Sequence, residues 1–101
     1  MAVAEISVIP VGHSTSISDE VADVIKIIEE SGMHYKVNPM CTVIQGDIDE
    51  LFDLMKQCHH QVAEKVDRVF TTIIIDDRKG VADDMERKMH SVEAKVGKKL
   101  E

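Results

Sequence analysis

The hydrophobic pattern of the chain switches between a period of two residues and a period of three to four, and the order of the switches restricts the fold to few arrangements. Residues 3–11 are rich in β-branched side chains and alternate, which predicts a strand. The next segment repeats apolar side chains at helical spacing up to Gly32, a natural end for a helix. In the strand predicted at 3–11, one face is apolar and carries Ala4, Ile6 and Val8, and the other is mixed and carries Glu5, Ser7 and Ile9.

The rest of the chain continues the alternation of strands and helices. Two short strands are predicted at 33–37 and 41–46, followed by a helix that begins at Asp47 or Asp49 and ends at about residue 65. A strand at 67–77 and a third helix in 79–101 complete the chain. For the first helix, Ser16 and Asp19 match a capping box, and Ser18 is the alternative cap. For the second helix, the cap is Asp47 or Asp49.

The order of elements is β-α-β-β-α-β followed by one more helix. This order is typical of the ferredoxin-like α+β fold, a four-stranded antiparallel sheet with two helices on one face, here with an additional C-terminal helix. The chain has 101 residues, a common size for one domain, so we expect residues 1–101 to form a single ferredoxin-like domain.

Two helices on one side leave the other face of the sheet uncovered. That face is predicted to carry Ile9 with one of two pairs, either Ile73 and Ile75 or Phe70 and Ile74. Such a face is too apolar to remain in contact with water. We therefore expect self-association as a homodimer or homotetramer.

Charge and composition exclude several classes of partner. The net charge is −7, from 19 acidic residues against 12 Lys and Arg, which disfavours binding of nucleic acid. The first residues lack the basic region of a signal peptide, and no apolar run approaches the roughly 20 residues that span a bilayer. With Cys41 and Cys58 expected to be reduced thiols, the prediction is a cytoplasmic protein without a membrane partner.

The residues most suggestive of chemistry do not form a predicted catalytic or metal site. His59 and His60 are adjacent, so on a helix their side chains point about 100° apart, and Cys58 lies on the apolar stripe. The acidic pairs at 76–77 and 83–84 fit a strand end and a first helical turn. We therefore predict no enzyme, no metal and no cofactor. A thiol- or metal-dependent enzyme built on Cys41 or on residues 58–60 is the weakest alternative.

Polar side chains among the aliphatic residues of the sheet are the informative anomaly. If a partner subunit covers such a polar group, the group needs a hydrogen bond, because leaving it without one costs about 1–3 kcal/mol. They either pair across strands and with water at an oligomer interface, or they line a pocket for a small ligand. The residues concerned are Ser7, Thr42, Gln45, Thr71 and Thr72.

Residues 38–46, Asn-Pro-Met-Cys-Thr-Val-Ile-Gln-Gly, resemble the signature of the thiamine-binding, YkoF-like family of small ferredoxin-like proteins, the UPF0045 or DUF77 group. Supporting matches occur in order along essentially the whole chain. They are residues 6–10, 14–18, 32–35, Arg68 and 72–78.

The resemblance implies a ferredoxin-like protomer that pairs through its sheet into dimers or tetramers and binds thiamine or its hydroxymethylpyrimidine moiety without being an enzyme. It places Thr42 near the ligand with Asn38, Met40 and Gln45. A ferredoxin-like strand order adds Ser7 on the adjacent strand. Hydroxyl and amide groups suit the edge of an aminopyrimidine ring, and a methionine suits its face. The alternative function is a structural or regulatory oligomer with no small ligand.

Overall fold

The computed structural model describes residues 1–12, 17–80 and 84–100, and these form the predicted elements in the predicted order. Of the sequence predictions, the Ser16 cap, the match at 14–16 and the acidic residue Asp83 fall outside the described residues. The elements are β1 (Ala2–Pro10), α1 (Ser18–Glu30), β2 (His34–Val37), β3 (Thr42–Gly46), α2 (Ile48–Ala63), β4 (Val69–Asp77) and α3 (Asp84–Val96).

The four strands form one sheet in the order β2-β3-β1-β4, and every neighbouring pair is antiparallel. α1 and α2 pack against each other, and together they cover one face of the sheet. This is the ferredoxin-like arrangement with an additional C-terminal helix. None of the helices in the described part of the chain is both long and apolar enough to cross a membrane.

The core lies between the sheet and these two helices, and it is aliphatic because the chain has few aromatic residues. β1 contributes its even-numbered side chains, as the alternation predicts. Each fully buried aliphatic side chain contributes about 1.5–3 kcal/mol through removal from water. The largest fully buried side chains are Ile28, Ile44, Leu51, Met55, Val62 and Cys58.

The ends of the helices follow the predicted chemistry in two cases out of three. Asp47 is the N-cap of α2, and its carboxylate accepts hydrogen bonds from the backbone N–H groups of Asp49 and Glu50 at 3.1 and 3.4 Å. Gly32 follows α1 with a φ of 76°, the left-handed conformation that glycine adopts without strain. The prediction that Ser18 caps α1 is wrong, since Ser18 is the first helical residue and the cap position is Ile17, which makes no side-chain cap bond.

α3 lies over one end of the sheet face that α1 and α2 leave open. The backbone N–H of Met85 donates a hydrogen bond to Oε1 of Gln45 at 2.9 Å. His34 Nε2 and Glu86 Oε1 are 3.1 Å apart, and Lys88 forms an ion pair with Asp76. These contacts join α3 to three of the strands through polar groups.

The strand register decides which side chains share a face. Ile9 pairs with Phe70, Ser7 with Thr72 and Glu5 with Ile74, so of the two predicted alternatives the open face carries Phe70 and Ile74. We refer to Ile9, Phe70 and Ile74 as the open-face patch, and all three are exposed.

Two of the polar residues predicted for that face lie on the opposite one. Thr42 pairs with the buried Ile6, which places its side chain towards the helices. Thr71 also faces the helices, and its hydroxyl lies 2.6 Å from Nδ1 of His59 on α2. Grouping these two threonines on one face with Ser7, Gln45 and Thr72 is therefore wrong, because successive side chains of a strand point to opposite faces.

Candidate functional site

A cavity of about 250 Å³ opens between the first half of α1, the far end of β1 and the turn that joins β2 to β3. It lies on the helix side of the sheet, at the end away from α3. Its apolar lining consists of Ile6, Val8, Ile9, Ile17, Val21, Val24, Ile25, Val37, Pro39 and Met40, and its polar lining of Ser7, Asn38, Cys41 and Thr42.

The rim of the cavity is the turn between β2 and β3. The backbone N–H of Asn38 donates a hydrogen bond to the carbonyl oxygen of Cys41 at 2.9 Å, which closes the turn. Pro39 has a fixed φ that suits a tight turn and holds the chain there. Met40 at the tip is 87% exposed, so a large flexible apolar side chain stands at the entrance with little of its surface covered.

Thr42 is the polar group that lies deepest in the site. It is only 7% exposed and sits in the sheet between Ile6 of β1 and Val37 of β2, both of which line the same cavity. Among the described residues, no side chain or backbone group forms a hydrogen bond with its hydroxyl. The oxygen itself is not fully enclosed, so it opens onto the cavity, where a ligand is able to form a hydrogen bond with it.

Four of the five residues predicted for the site border this cavity, namely Ser7, Asn38, Met40 and Thr42. Ser7 is on the strand next to Thr42, as the predicted strand order requires. Its side chain, however, belongs to the open face, because it pairs with Thr72 and alternates with Ile6. Ser7 therefore borders the cavity although its side chain is on the opposite face of the sheet from that of Thr42.

Gln45 is separated from the other four residues. It faces the open side of the sheet, is 6% exposed, and accepts a hydrogen bond from the backbone of Met85 at the start of α3. The amide thus serves the attachment of α3, a helix whose packing site the sequence pattern left undetermined.

The wall supplied by α1 was not part of the predicted site. Two residues of α1, Val24 and Ile28, are buried in the core. Val24 also lines the cavity, and Ile17, Val21 and Ile25 extend the apolar stripe beside it. An apolar stripe longer than its core contact is the sequence signal that points to such a wall.

The cavity is electrically neutral in its described lining. It contains no carboxylate, ammonium, guanidinium or imidazole group. Burial raises the pKa of the Cys41 thiol, and the neighbouring Glu5 carboxylate raises that pKa further by hydrogen bonding and repulsion of the thiolate. Cys41 is therefore a neutral thiol at physiological pH and a poor nucleophile.

The other thiol and its neighbouring histidines have structural surroundings. Cys58 is fully buried in the core, as predicted, and burial raises its pKa to about 11. His59 contacts Thr71, while His60 is exposed. No group of three His, Cys, Asp or Glu residues with metal-binding geometry occurs in the ranges that the structure describes.

An antiparallel sheet covered by two helices, with a mostly apolar cavity at one end, defines a small ferredoxin-like protein with room for a small molecule. The chain belongs to a family whose model is described as thiamine-binding protein and matches residues 4–93. Membership of this family supports a role in binding a small molecule, and the predicted resemblance to the UPF0045 and DUF77 group is confirmed.

Individual relatives agree with this assignment. The chain is 37% identical over 90 residues to UPF0045 protein MJ1052 of Methanocaldococcus jannaschii, with 89% of this chain and 90% of that protein covered. It is 40% identical over 98 residues to UPF0045 protein YqgV of Bacillus subtilis, covering 91% and 94% of the two chains.

Solved structures confirm the fold. The crystal structure of hypothetical protein MJ1052 superposes with a TM-score of 0.84 at 36% identity, over 90% of this chain and 94% of that one. A DUF77 domain of unknown function from Bacillus cereus superposes with a TM-score of 0.76 at 25% identity, over 86% and 85% of the two chains.

Proposed function

We propose that the chain is a binding protein for thiamine or a related hydroxymethylpyrimidine, that it holds the pyrimidine ring in the cavity beside Thr42, and that it acts as a homo-oligomer without catalysing a reaction. The observation that carries the proposal is Thr42, a nearly buried residue that lines a mostly apolar cavity and whose hydroxyl has no hydrogen-bond partner among the described residues, in a chain of the thiamine-binding protein family.

The chemistry of the lining supports a flat, weakly polar ligand. The Thr42 hydroxyl is both a donor and an acceptor, and the Asn38 amide at the rim offers the same two functions. An aminopyrimidine presents an amine and ring nitrogens along its edge and an apolar face. That face suits contact with Met40 and with the aliphatic wall of α1.

Ser7 and Gln45 enter the proposal differently. Ser7 remains a proposed ligand contact because it borders the cavity. Gln45 was predicted to contact the ligand, but its side chain is taken up by Met85, so the proposed site consists of Ser7, Asn38, Met40 and Thr42.

Isothermal titration calorimetry with thiamine and with hydroxymethylpyrimidine tests the proposal. We expect binding at micromolar concentrations or tighter. Thr42→Val replaces the hydroxyl by a methyl group of similar size and is expected to weaken binding about tenfold or more. Thr42→Ser keeps the hydroxyl and is the matched control. Absence of heat with both ligands contradicts the proposal.

A purely structural or regulatory oligomer is the second candidate, and the open-face patch favours it. Large apolar side chains exposed together on a sheet mark an interaction surface. If the protein is only a structural or regulatory oligomer, neither thiamine nor hydroxymethylpyrimidine raises its melting temperature. Thr42→Val then changes only the melting temperature of the protein or the mass of the assembly.

A further inference from the structure

A second cavity, of about 240 Å³, lies where α3 meets the edge strand β2. Three segments supply its lining, namely β2, α3 and the residues that follow α3 up to Leu100. His34 and Lys36 of β2 are two residues apart, so their side chains share the sheet face on which α3 lies. This cavity has no lining residue in common with the cavity beside Thr42, which is on the other side of the sheet.

One part of the second cavity is apolar. Met85 and Met89 are one helical turn apart on α3, and Leu100 joins them because the chain folds back after the helix. The backbone N–H of Leu100 donates a hydrogen bond to Oε2 of Glu93 at 2.6 Å, which holds this return. Flexible methionine side chains adapt to the shape of a bound group. The volume is below the roughly 300–1,000 Å³ of pockets for drug-sized ligands, so it suits one ring or a short chain.

The carboxylates of the second cavity already have partners within the protein. Oε1 of Glu86 is 3.1 Å from Nε2 of His34, and the Glu93 carboxylate accepts the hydrogen bond from Leu100. These two contacts attach the edge strand and the end of the chain to α3. The negative groups at the cavity are therefore engaged in holding its walls together.

The groups that remain available are hydrogen-bond donors. Lys36, His90 and Lys99 line the cavity, and none of the three forms a hydrogen bond or ion pair with residues 1–12, 17–80 or 84–100. Each ammonium group has three N–H donors, and an imidazole has at least one. Water solvates these exposed side chains, so a ligand is able to use them without breaking a bond inside the protein.

We propose that this cavity is a second ligand site, separate from the proposed thiamine site, and that it binds a small organic anion. The ligand consists of one ring or a short chain with a phosphate or carboxylate group. Its apolar body lies against Met85 and Met89, and its oxygens accept charge-assisted hydrogen bonds from Lys36 and Lys99 and a hydrogen bond from His90.

The overall charge of the protein does not prevent this binding. The net charge of −7 repels an anion at long range. At physiological ionic strength, charges separated by more than about 8 Å in water are largely screened. The affinity therefore depends on the groups at the cavity, where two ammonium groups are free of internal ion pairs in the described ranges.

The test is an NMR titration of the isotope-labelled full chain at neutral pH and physiological ionic strength. The probes are phenyl phosphate, benzoate and benzyl alcohol, which carry the same ring with a phosphate, a carboxylate or no charge. We expect dissociation constants below about 1 mM for the anions and binding at least about tenfold weaker for benzyl alcohol. Amide shifts should change around Lys36 and His90, and the tighter of the two anions identifies the preferred anionic group.

Three lysine variants test the role of the cavity. Lys36→Gln and Lys99→Gln each remove one ammonium group and are expected to weaken the tighter anion about fivefold or more. Lys98→Gln is the matched control, because it makes the same change in net charge one residue away from the lining. It is expected to change the affinity by about twofold or less. All three lysines are exposed, so the variants should keep the melting temperature of the unmodified protein.

Four outcomes would overturn the proposal. They are no shift changes with either anion, shift changes centred on Thr42, benzyl alcohol binding as tightly as both anions, and equal weakening by Lys98→Gln and the two lining variants. None of them bears on the proposed function, because Lys36→Gln and Lys99→Gln lie outside the cavity beside Thr42 and should leave thiamine binding unchanged.

Discussion

At position 42 a hydroxyl occupies a place where a methyl group would pack equally well. The residue is nearly buried, it lies between two aliphatic neighbours, and its hydroxyl has no partner in the described part of the chain. For folding alone, valine would suit this β-strand position better than threonine. The Thr42→Val variant is therefore expected to be at least as stable as the unmodified protein while binding less ligand, a combination typical of residues that serve function.

The two thiols differ in environment, and their reactivity is expected to differ accordingly. The pKa of Cys58, raised by burial to about 11, lowers its thiolate fraction about a hundredfold relative to an ordinary cysteine near 9, and the side chain is fully buried. Cys41 is only partly buried, and its pKa is raised mainly by burial and then by Glu5. Titration with a thiol reagent at pH 8 should detect one slowly reacting thiol in the native protein and two after unfolding.

The Cys41→Ser variant identifies which thiol reacts. In that variant the native protein should show no thiol that reacts on the same timescale, and unfolding should reveal one. Two thiols that react at equal rates in the native protein would show that Cys58 is accessible, in conflict with its place in the core.

At the scale of a single element, α2 has a side-chain cap and α1 has none among the described residues. Asp47 accepts two backbone hydrogen bonds and also places a negative charge at the positive end of the helix dipole. Asp47→Ala is expected to lower the free energy of unfolding by about 1 kcal/mol, measured by urea denaturation.

Asp49→Ala is the matched control for the cap. Asp49 is in the first turn of the same helix, but its carboxylate does not cap the helix. Its removal should therefore lower the free energy of unfolding by less than the loss of Asp47, about 0.3–1 kcal/mol from the dipole alone. An equal loss from the two variants would mean that the capping hydrogen bonds contribute nothing beyond charge.

The elements themselves could be predicted from the sequence because each depends on a local period. The alternation in β1 and the capping chemistry near Asp47 are readable within a few residues. The face of the sheet on which Thr42 lies cannot be predicted in this way. It depends on the residue at which the strand after the turn at 38–41 begins to pair, and a shift of one residue places the side chain on the opposite face. The attachment of Gln45 to α3 depends on contacts 40 residues apart in the chain, which no local pattern encodes.

The candidate site was predictable only in part for the same reason. The turn residues Asn38 and Met40 form a continuous stretch with Thr42, so a sequence motif identifies them together. The wall from α1 is brought to them by the crossover from β1, a property of the whole fold. The resemblance to a family supplied the position of the proposed site, and the structure shows that the cavity at this position lies on the helix side of the sheet.

At the scale of the whole molecule, the sheet is closed on one side by α1 and α2 and only partly on the other by α3. The open-face patch remains exposed beyond the end of α3, and the Arg68 guanidinium lies 4.8 Å from the centre of the Phe70 ring. A second copy of the chain that covers this face would bury the patch and satisfy its polar neighbours, among them Ser7 and Thr72. The predicted homodimer or homotetramer therefore has a specific candidate interface.

A pair of phenylalanine variants distinguishes this interface from the rest of the surface. Phe70 on the open face is 56% exposed and Phe52 on α2 is 51% exposed, so an aspartate at either position should affect the folded protomer to a similar small extent. Phe70→Asp would place a charge within the open-face patch, where desolvation of the carboxylate opposes association. Native mass spectrometry should show a protomer of 11.3 kDa for Phe70→Asp and an assembly for Phe52→Asp.

If Phe70→Asp retains the mass of the unmodified assembly, or if the unmodified chain is itself a monomer, then the open-face patch does not mediate self-association. Loss of assembly in Phe52→Asp alone would instead place the contact on the helix side, next to the walls of the ligand cavity.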